Sequence, residues 1–392
     1  MSRAVVIGAG VGGLTAGVAL RRAGWDVTVL ERAQKIDPVG AGLGVAANAL
    51  QALDTVGLGG EIRKLSRLQG QVGIRRPGGQ WLVRTSGDDA EARFGDSMVV
   101  TLRAALLDVL IDALGAERVR LGTTVSAVEV EEGVARTDAG DFEADLIVAA
   151  DGIRSAARQA LFPEHPGPAY SGVTAWRALI PAGGDLTIRS TESWGRGLVF
   201  GVHPLAGDLV YVYATDVSPP GAVHGDERAE LIRRFGGWHE PIPALLRAAD
   251  PATVIRTDVY YFDTPLPAFH RGKVALLGDA AHAMTPNLGQ GACQAIEDAI
   301  VLAHLVGADE VPAALAAYTA ARLERTMKIV KQAMAICKVT KLRNPVAVGL
   351  RDAGMRAAAR LSLDLMLRSM DGLLRWQPPE GMPAARRDRS PG

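Results

Sequence analysis

Residues 5–13 read VVIGAGVGG, an apolar run that leads directly into closely spaced glycines. The unbroken apolar run at residues 4–7 is typical of a strand covered on both faces. Residues 14–23 have helical character, Gly24 supplies a stop signal, and residues 27–30 form the next strand-like run. The sequence therefore predicts a strand–helix–strand unit of about 30 residues.

The glycines of this unit form a GxGxxG pattern. Gly8 permits a tight turn, Gly10 lets the backbone approach a pyrophosphate, and Gly13 allows the helix to pack closely on the strand. Glu31 ends the second strand, where a carboxylate accepts a hydrogen bond from a ribose 2′-hydroxyl and repels a 2′-phosphate. The pattern predicts a dinucleotide site that does not hold NADP. It does not distinguish FAD from NAD, and a glycine-rich turn without a ligand is the alternative.

The bulk composition narrows the class of protein. The chain has 392 residues, enough for two domains with a sizeable core. It carries 43 Lys and Arg against 43 Asp and Glu, so its formal net charge is zero, which argues against a nucleic-acid-binding surface. Its two cysteines show no metal-ligand or disulfide spacing. We find neither a signal peptide nor a run of about 18 apolar residues typical of a membrane span, so we expect a cytoplasmic protein.

Two later stretches of the sequence reduce the number of possible cofactors. Residues 145–158 read DLIVAADGIRSAAR and residues 273–291 read KVALLGDAAHAMTPNLGQG. In each, an apolar strand ends in an aspartate, Asp151 or Asp279, and such a side chain can accept hydrogen bonds from a ribityl chain. A helix N-terminus at residues 288–292 can stabilise negative charge on a reduced flavin. Each stretch alone is equally compatible with an ordinary strand end.

Together, the three stretches resemble the single-component (group A) FAD-dependent monooxygenases, which include para-hydroxybenzoate, salicylate and 3-hydroxybenzoate hydroxylases. The resemblance spans about residues 4–306. Residues 170–177, YSGVTAWR, are most similar to the branch with salicylate and 3-hydroxybenzoate hydroxylases and zeaxanthin-epoxidising enzymes. The resemblance implies FAD as cofactor, with NAD(P)H as a transient co-substrate. We find no second strand–GxGxxG–helix unit, because no βαβ pattern follows the glycines at residues 40–44, and the preference for NADH or NADPH cannot be read.

The resemblance also implies which residues hold FAD. One set binds the ADP half: Gly8, Gly10, Gly13, Glu31 and Arg32. A second set lies along the phosphates, the ribityl chain and the flavin ring: Arg103, Asp151, Gly152, Asp279, Pro286, Gly289 and Gly291. In this assignment Arg103 reaches the phosphate and ribityl region, Asp279 binds ribityl hydroxyls, and the Asp151 motif serves both FAD and NAD(P)H. Pro286 lies beside the isoalloxazine where oxygen reacts, so it is also a candidate catalytic residue.

The implied reaction is monooxygenation through a flavin hydroperoxide. NAD(P)H reduces FAD, O2 adds to the reduced ring, and one oxygen atom enters a small hydrophobic, aromatic or phenolic substrate. The protein contributes positioning and exclusion of water. The alternatives are epoxidation of an alkene or isoprenoid, a flavin reductase or oxidase that places no oxygen in the product, and a flavin-bound binding protein.

Candidate substrate-site residues lie in the strand-rich middle of the chain. A base that removes the phenolic proton assists hydroxylation, and His203 lies at a predicted strand end. Tyr211 and Tyr213 are two positions apart and share one face of a strand. Packing is the alternative for all three residues. We expect His282 to be structural and Arg177 to lie at the seam between domains.

These patterns predict a doubly wound α/β FAD-binding domain with an inserted, mostly antiparallel, β-rich substrate domain and a helical C-terminal region. A helix is predicted over residues 101–114, another over 289–306, and a long helical stretch over 311–374. The predicted division is: FAD-binding domain, residues 1–70, 96–165 and 272–306; substrate domain, 71–95 and 166–271; C-terminal helices, 307–376; flexible tail, 377–392. We expect a monomer or homodimer.

Overall fold

The structure is a computed structural model of mixed α/β class, as the sequence predicted. It describes residues 1–36, 42–65, 71–183, 188–361 and 363–379. Part of the glycine-containing segment at residues 40–44 and most of the predicted tail therefore lie outside the described residues.

The strands of the described residues are β1 (Arg3–Ile7), β2 (Asp26–Leu30), β3 (Gly42–Val45), β4 (Gln71–Arg75), β5 (Trp81–Ser86), β6 (Val99–Leu102), β7 (Val119–Arg120), β8 (Val125–Glu129), β9 (Val134–Thr137), β10 (Gly140–Glu143), β11 (Leu146–Ala149), β12 (Ala169–Pro181), β13 (Thr191–Trp194), β14 (Leu198–Leu205), β15 (Leu209–Val217), β16 (Ile255–Tyr261), β17 (His270–Arg271) and β18 (Val274–Leu276).

The helices are α1 (Val11–Arg22), α2 (Ala47–Thr55), α3 (Gly59–Leu65), α4 (Gly87–Phe94), α5 (Arg103–Leu114), α6 (Ala156–Leu161), α7 (Glu227–Phe235), α8 (Ile242–Ala248), α9 (Asp279–His282), α10 (Gly291–Ala308), α11 (Val311–Thr340), α12 (Pro345–Leu361), α13 (Leu363–Arg368) and α14 (Asp371–Leu374). Short 3-10 turns occur at Ala116–Arg118, Pro251–Thr253 and Pro286–Leu288.

A parallel sheet carries the three sequence stretches. Its strand order is β17-β18-β11-β1-β2-β7, and β1, β2, β11 and β18 run parallel. The strands are apolar on both faces because helices such as α1 and α10, together with strands β8 to β10, cover them. The carboxyl ends of β1, β11 and β18 meet at one edge, which is where open α/β sheets bind ligands. The glycine loop and both aspartate motifs start at this edge.

A second, mostly antiparallel sheet has the order β16-β12-β15-β14-β13-β4-β5. Side chains alternate between its faces, as strand geometry requires. Trp176 and Val212 pack on α7 and α8. Tyr211 points the other way, because a Cβ added to Gly42 in β3 would lie 2.4 Å from its ring. One face of this sheet therefore adjoins the two-stranded antiparallel sheet of β3 and β6.

Several predicted helix boundaries differ from the structure. The first helix, predicted over residues 14–23, spans Val11–Arg22. The helix predicted from residue 101 begins at Arg103, because Val99–Leu102 pairs with β3. The predicted C-terminal helical stretch is four helices, and the first break precedes Pro345. Proline fits the first turn of a helix, but it disfavours helical backbone in the residue before it. Asn344 instead caps α12 by accepting a hydrogen bond from the Val346 N–H at 2.9 Å.

Helix α10 is long and apolar enough to cross a membrane by length and composition, the one such helix among the described residues. Most of it is buried. It packs between α1 and α11, and residues such as Cys293 and Ile296 are fully enclosed. Burial of this kind is typical of a core helix. The predicted start at residue 289 is shifted to Gly291, because a 3-10 turn at Pro286–Leu288 precedes it.

Candidate active site

The glycine loop after β1 has two crowded positions and one open position. A Cβ added to Gly8, whose φ is +102°, would lie 2.5 Å from the Ala150 oxygen, and one on Gly13 would lie 1.9 Å from the Gly8 oxygen. A Cβ on Gly10 would meet only Arg103 Nη2, at 3.8 Å. At Gly8 and Gly13, backbone oxygens leave no room for a side chain, so the fold itself requires glycine there. Gly10 instead borders open space at the N-terminus of α1, which no side chain caps.

Glu31 anchors this loop from the end of β2. Its Oε2 accepts the Ala9 N–H and its Oε1 accepts the Ala33 N–H, both at 2.9 Å. The carboxylate is thereby held at the rim of the glycine loop, with lone pairs remaining for a ligand hydroxyl. Arg32 is exposed beside it.

Asp279 and Arg103 face each other across the cleft at the sheet edge. Asp279 begins α9 and Arg103 begins α5, and both side chains are reached by solvent. Desolvation by the surrounding protein raises the pKa of Asp279 above its ordinary value. The charges of His282 and Arg103 oppose that rise. A Cβ on Gly291 would lie 3.9 Å from Asp279 Oδ1. The fold thus brings together Arg103, Asp279, Gly10 and Gly291.

Asp151 follows β11 on the same edge. Its Oδ2 accepts the Ala156 N–H at 3.0 Å, while its Oδ1 is buried without a partner among the described residues. Burial raises the pKa of Asp151, although these hydrogen bonds and that of Ser155 oppose the rise. Gly152 has a φ of +80°. A buried acceptor without a donor is costly, so Asp151 is suited to a ligand that donates.

The candidate substrate residues form an aromatic cluster on the second sheet. The His203 ring stacks 5.5 Å from Tyr213 and 6.3 Å from Tyr211, measured between ring centroids. The Tyr211 and Tyr213 rings are 5.8 Å apart. His203 Nδ1 is hydrogen-bonded to the Ser190 hydroxyl. Burial lowers the pKa of His203 to about 4, so its ring is neutral at physiological pH.

A carboxylate that the sequence analysis missed completes this cluster. Glu192 on β13 accepts the Tyr213 O–H at Oε1 and the Trp194 indole N–H, 2.8 Å away, at Oε2. Burial raises the pKa of Glu192, while these two donors oppose the rise. The available signal was the alternation of Glu192 and Trp194 on a short strand, which places both on one face. That signal does not identify the partner strand.

Comparison with known proteins identifies the family. A family model for the FAD binding domain matches residues 1–181 and 263–333, which is more than half of the chain. The chain belongs to the FAD-binding domain family.

Several relatives of this flavoprotein are similar over nearly its whole length. An aurachin C monooxygenase/isomerase from Stigmatella aurantiaca is 39% identical, over 93% of this chain and 96% of the relative. A 2-heptyl-3-hydroxy-4(1H)-quinolone synthase from Pseudomonas aeruginosa is 32% identical, over 91% of this chain and 94% of the relative. The crystal structure of Klebsiella pneumoniae HpxO complexed with FAD and uric acid superposes with a TM-score of 0.87 and 29% identity, covering 95% of this chain and 96% of that chain.

These findings confirm the main predictions of class. The flavoprotein is a single-component, FAD-dependent monooxygenase that uses NAD(P)H, and it hydroxylates an aromatic substrate rather than acting as a reductase or oxidase. The open position at Gly10, the uncapped N-terminus of α1 and the unpartnered Asp151 Oδ1 fit the donors and acceptors of FAD.

The loop that begins with Thr285 connects α9 to α10. Pro286 and Gly289 are exposed, and Gly289 takes a φ of +63°, a left-handed conformation that favours glycine. The Gln290 side chain is buried and held by the Asn48 amide at 3.0 Å and the Gln294 amide at 3.1 Å. The loop is therefore fixed from behind, while its Pro286 side faces open space.

A buried charged network supports the flavoprotein's cleft from beneath. Asp298 Oδ2 accepts the Gly278 N–H at 3.0 Å and contacts His282 Nε2 at 2.6 Å, and its Oδ1 accepts from Arg322 Nε at 2.7 Å. Arg322 also donates to Glu297 Oε2 at 2.6 Å. Burial opposes ionisation of Asp298, but His282 and Arg322 hold its pKa at about 2. His282 is thus structural, as predicted, whereas Asp298 and Arg322 were missed.

Arg177, which the sequence analysis expected at the seam between domains, lies on β12 of the second sheet. It is half-buried on β12, opposite Tyr213 in the sheet register, and donates to the Thr257 hydroxyl at 2.9 Å. Burial raises the pKa of Tyr211, and the nearby charge of Arg177 opposes that rise. Arg177 therefore contributes positive charge to the face that carries the tyrosines.

Proposed function

We propose that this monooxygenase binds FAD along the sheet edge and holds its aromatic substrate against the Tyr211–Tyr213 face. The arrangement that carries the proposal is a continuous path between the two. Tyr211 lies on Gly42 of β3, β3 pairs with β6, and β6 leads into Arg103 beside Gly10 and Asp279. A substrate on the tyrosine face is therefore adjacent to the cofactor cleft.

The proposed cofactor contacts divide along the cleft. The N–H groups of the glycine loop and α1 receive the pyrophosphate, and Glu31 accepts from the adenosine ribose, with Arg32 flanking the adenine. Arg103 and Asp279 hold the phosphate and ribityl portion. The loop with Pro286, Gly289 and Gly291 borders the flavin ring. When bound, FAD accepts a hydride from NAD(P)H and activates O2.

We propose a planar, fused nitrogen heterocycle as the substrate class. The quinolone made by one relative and the uric acid bound by HpxO are both fused rings with carbonyl groups and a ring N–H. The stacked rings of His203, Tyr211 and Tyr213 offer a flat aromatic wall to such a ring. Removing the ring proton raises electron density on the carbon that receives oxygen.

The test is NAD(P)H oxidation, with hydrogen peroxide quantified, across 4(1H)-quinolones, uric acid, simple phenols and polyenes. The proposal expects a quinolone or purine to accelerate NAD(P)H loss while peroxide stays well below it, since oxygen then enters product. Acceleration by phenols or polyenes alone would contradict the substrate class. Unchanged rates with every compound, or conversion of all NAD(P)H into peroxide, would contradict the proposed site.

We further propose that the enzyme acts in the cytoplasm as a monomer or homodimer. The proposed location is supported by the burial of α10, the one described helix that is long and apolar enough to span a membrane. Light scattering on the purified holoenzyme tests the assembly, and a trimer or larger species would contradict it.

A further inference from the structure

We propose that Glu192 is the final proton acceptor of the active site, taking through the Tyr213 hydroxyl the proton that leaves the substrate ring. The proposal rests on the proposed function, which places the substrate on the Tyr211–Tyr213 face. It adds a residue that neither the sequence motifs nor the FAD cleft indicates.

Strand register places the required groups in one row. Tyr213 lies opposite Arg177 on one side and Gly201 on the other, and Gly201 lies opposite Glu192. A Cβ on Gly201 would lie 2.2 Å from Tyr213 Cζ, so only glycine lets the Tyr213 ring cross this strand. The ring therefore lies over the Gly201 backbone, and its hydroxyl reaches Glu192 Oε1.

Glu192 has the surroundings of a base. Its two donors, Tyr213 and Trp194, are both neutral, and no ion pair to it is present among the described residues. A carboxylate that is partly withdrawn from water and has no cation beside it is costly to keep charged, so desolvation raises the pKa of Glu192 and makes it a stronger proton acceptor. Glu192 and Tyr213 are only half-buried, so they border space that solvent or a ligand can enter.

The other titratable groups near Tyr213 and Glu192 are not suited to act as the proton acceptor. His203 from β14 stacks on Tyr213, but its pKa of about 4 leaves it neutral and hydrogen-bonded to Ser190. Tyr211 from β15 and Arg177 from β12 face the same side. Burial raises the pKa of Tyr211, and the Arg177 guanidinium offers only donors. From α12, the Arg351 guanidinium lies 5.6 Å from the Trp194 ring and is paired with Asp352 at 2.8 Å.

The proton movement balances without a further reactant. A ring N–H or O–H of the substrate gives its proton to the Tyr213 oxygen while the Tyr213 O–H gives its proton to Glu192. The substrate becomes an anion, Tyr213 stays neutral and Glu192 becomes a carboxylic acid. The anionic ring is the better nucleophile towards the activated oxygen, and Glu192 releases its proton to solvent after turnover.

The test compares pH profiles of kcat/KM for product formation in the holoenzyme, using the compound that the NAD(P)H assay selects. In the wild type, activity falls as the pH drops through the raised pKa of Glu192. Glu192→Gln keeps FAD but lowers kcat/KM by about 10²- to 10⁴-fold, the usual contribution of a base, and loses this acidic limb. Tyr213→Phe gives a similar loss, and the double variant is no worse than either single variant, because both act in one step.

Two further variants separate proton transfer from packing. Trp194→Phe removes a donor that lowers the pKa of Glu192, so the acidic limb moves to higher pH while the plateau remains measurable. Glu143→Gln, at an exposed glutamate on β10, leaves the profile unchanged. The proposal would be overturned if the fall of kcat/KM at acidic pH were the same as in the wild type in both Glu192→Gln and Trp194→Phe. Failure of every compound to accelerate NAD(P)H oxidation would instead contradict the proposed function, and the relay with it.

Discussion

At the scale of single residues, some positions in the cleft are required by the protein's own packing, whereas others are free to contact a ligand. Gly13 has no room for a side chain because the Gly8 oxygen occupies it, whereas Gly10 faces open space. Asp151 retains a buried oxygen without a donor. Positions that the apoprotein leaves open or unsatisfied are those at which a bound cofactor stabilises the molecule.

Gly10→Ala should therefore impair FAD binding, whereas Gly13→Ala should impair the stability of the protein itself. The backbone of Gly10 is extended, with φ −76° and ψ 179°, which alanine adopts freely. Gly10→Ala should leave the Tm of the apoprotein unchanged and weaken FAD binding by at least about 10-fold, a loss of roughly 1.4 kcal/mol. Gly13→Ala should lower the apoprotein Tm itself. Thermal unfolding and FAD titration measure both effects, and equal Tm losses in the two variants would contradict this distinction.

Asp279→Ala should weaken FAD retention strongly. Each hydrogen bond to a charged group contributes about 1.5–3 kcal/mol, so the loss of the ribityl contacts should raise the Kd at least about 10-fold. The ratio of flavin to protein absorbance after desalting measures retention. Asp309→Ala, at an exposed aspartate just after α10, is the matched control. Stoichiometric FAD in purified Asp279→Ala would show that the ribityl site is misplaced.

At the scale of elements, β-strand register assembles the substrate face. Residues from β12, β13, β14 and β15 meet in one cross-strand row, and the two-residue period sends their neighbours to the opposite face. Trp176 and Val212 there pack against α7 and α8. One face of these strands therefore forms a hydrophobic core with α7 and α8, and the other face forms the wall of the proposed active site.

Gly201→Ala should disturb this wall without affecting the cofactor. The added Cβ would lie within 2.7 Å of three atoms of the Tyr213 ring, so the ring must move and its hydroxyl leaves Glu192. We expect kcat/KM to fall at least about 10-fold, since a positioned base contributes at least about 10²-fold, while FAD content stays stoichiometric.

The control for this variant is Gly354→Ala in α12, where an added Cβ meets nothing within 4 Å. It should leave kcat/KM unchanged and stabilise the helix by about 0.5–1 kcal/mol. If Gly201→Ala shows wild-type kcat/KM, the contact between Tyr213 and Glu192 is unnecessary.

At the scale of the whole molecule, the buried network joins elements that are distant in sequence. Asp298 on α10 contacts the start of α9 through Gly278 and His282, and it contacts α11 through Arg322. Arg325, also on α11, donates to Glu297, the second carboxylate bound by Arg322, and to the Leu373 carbonyl in α14 at 3.1 Å. The cleft loop and the C-terminal helices are therefore held by one connected set of charges.

This network predicts a pH-dependent stability. Since the folded pKa of Asp298, about 2, lies below its ordinary 3.8, the stabilisation is present at neutral pH and is lost as the pH falls from 3.8 towards 2. It amounts to about 2 kcal/mol. Urea unfolding of the wild type over this range should show the loss.

Asp298→Asn should lack this acid-dependent component. At pH 7 it should lower the free energy of unfolding by about 3–5 kcal/mol, because Arg322 loses one of its two buried carboxylate partners. Asp141→Asn, at an exposed pair with Arg136, should change it by less than about 1 kcal/mol. An Asp298→Asn protein as stable as the wild type would contradict the structural role of the network.

Local patterns accounted for much of the fold and for the cofactor class. An apolar strand, its glycines and the following helix act within about 30 residues, so VVIGAGVGG predicted its own local structure and ligand type. The aspartates after β11 and β18 were placed for the same reason, because a strand end is a local feature. The break before Pro345 was missed although the sequence carries a local signal for it, because proline disfavours helical backbone at Asn344.

The sequence by itself thus determined the α/β class, the FAD-dependent chemistry and the candidate cleft residues. Only the tertiary structure decided that Tyr213 meets Glu192 and that Asp298 meets His282 and Arg322. These partners are separated by 16 to 24 residues along the chain, and no local pattern encodes which strand or helix will lie opposite. Sheet register and helix packing make that choice, because a buried carboxylate must find donors wherever the fold brings them.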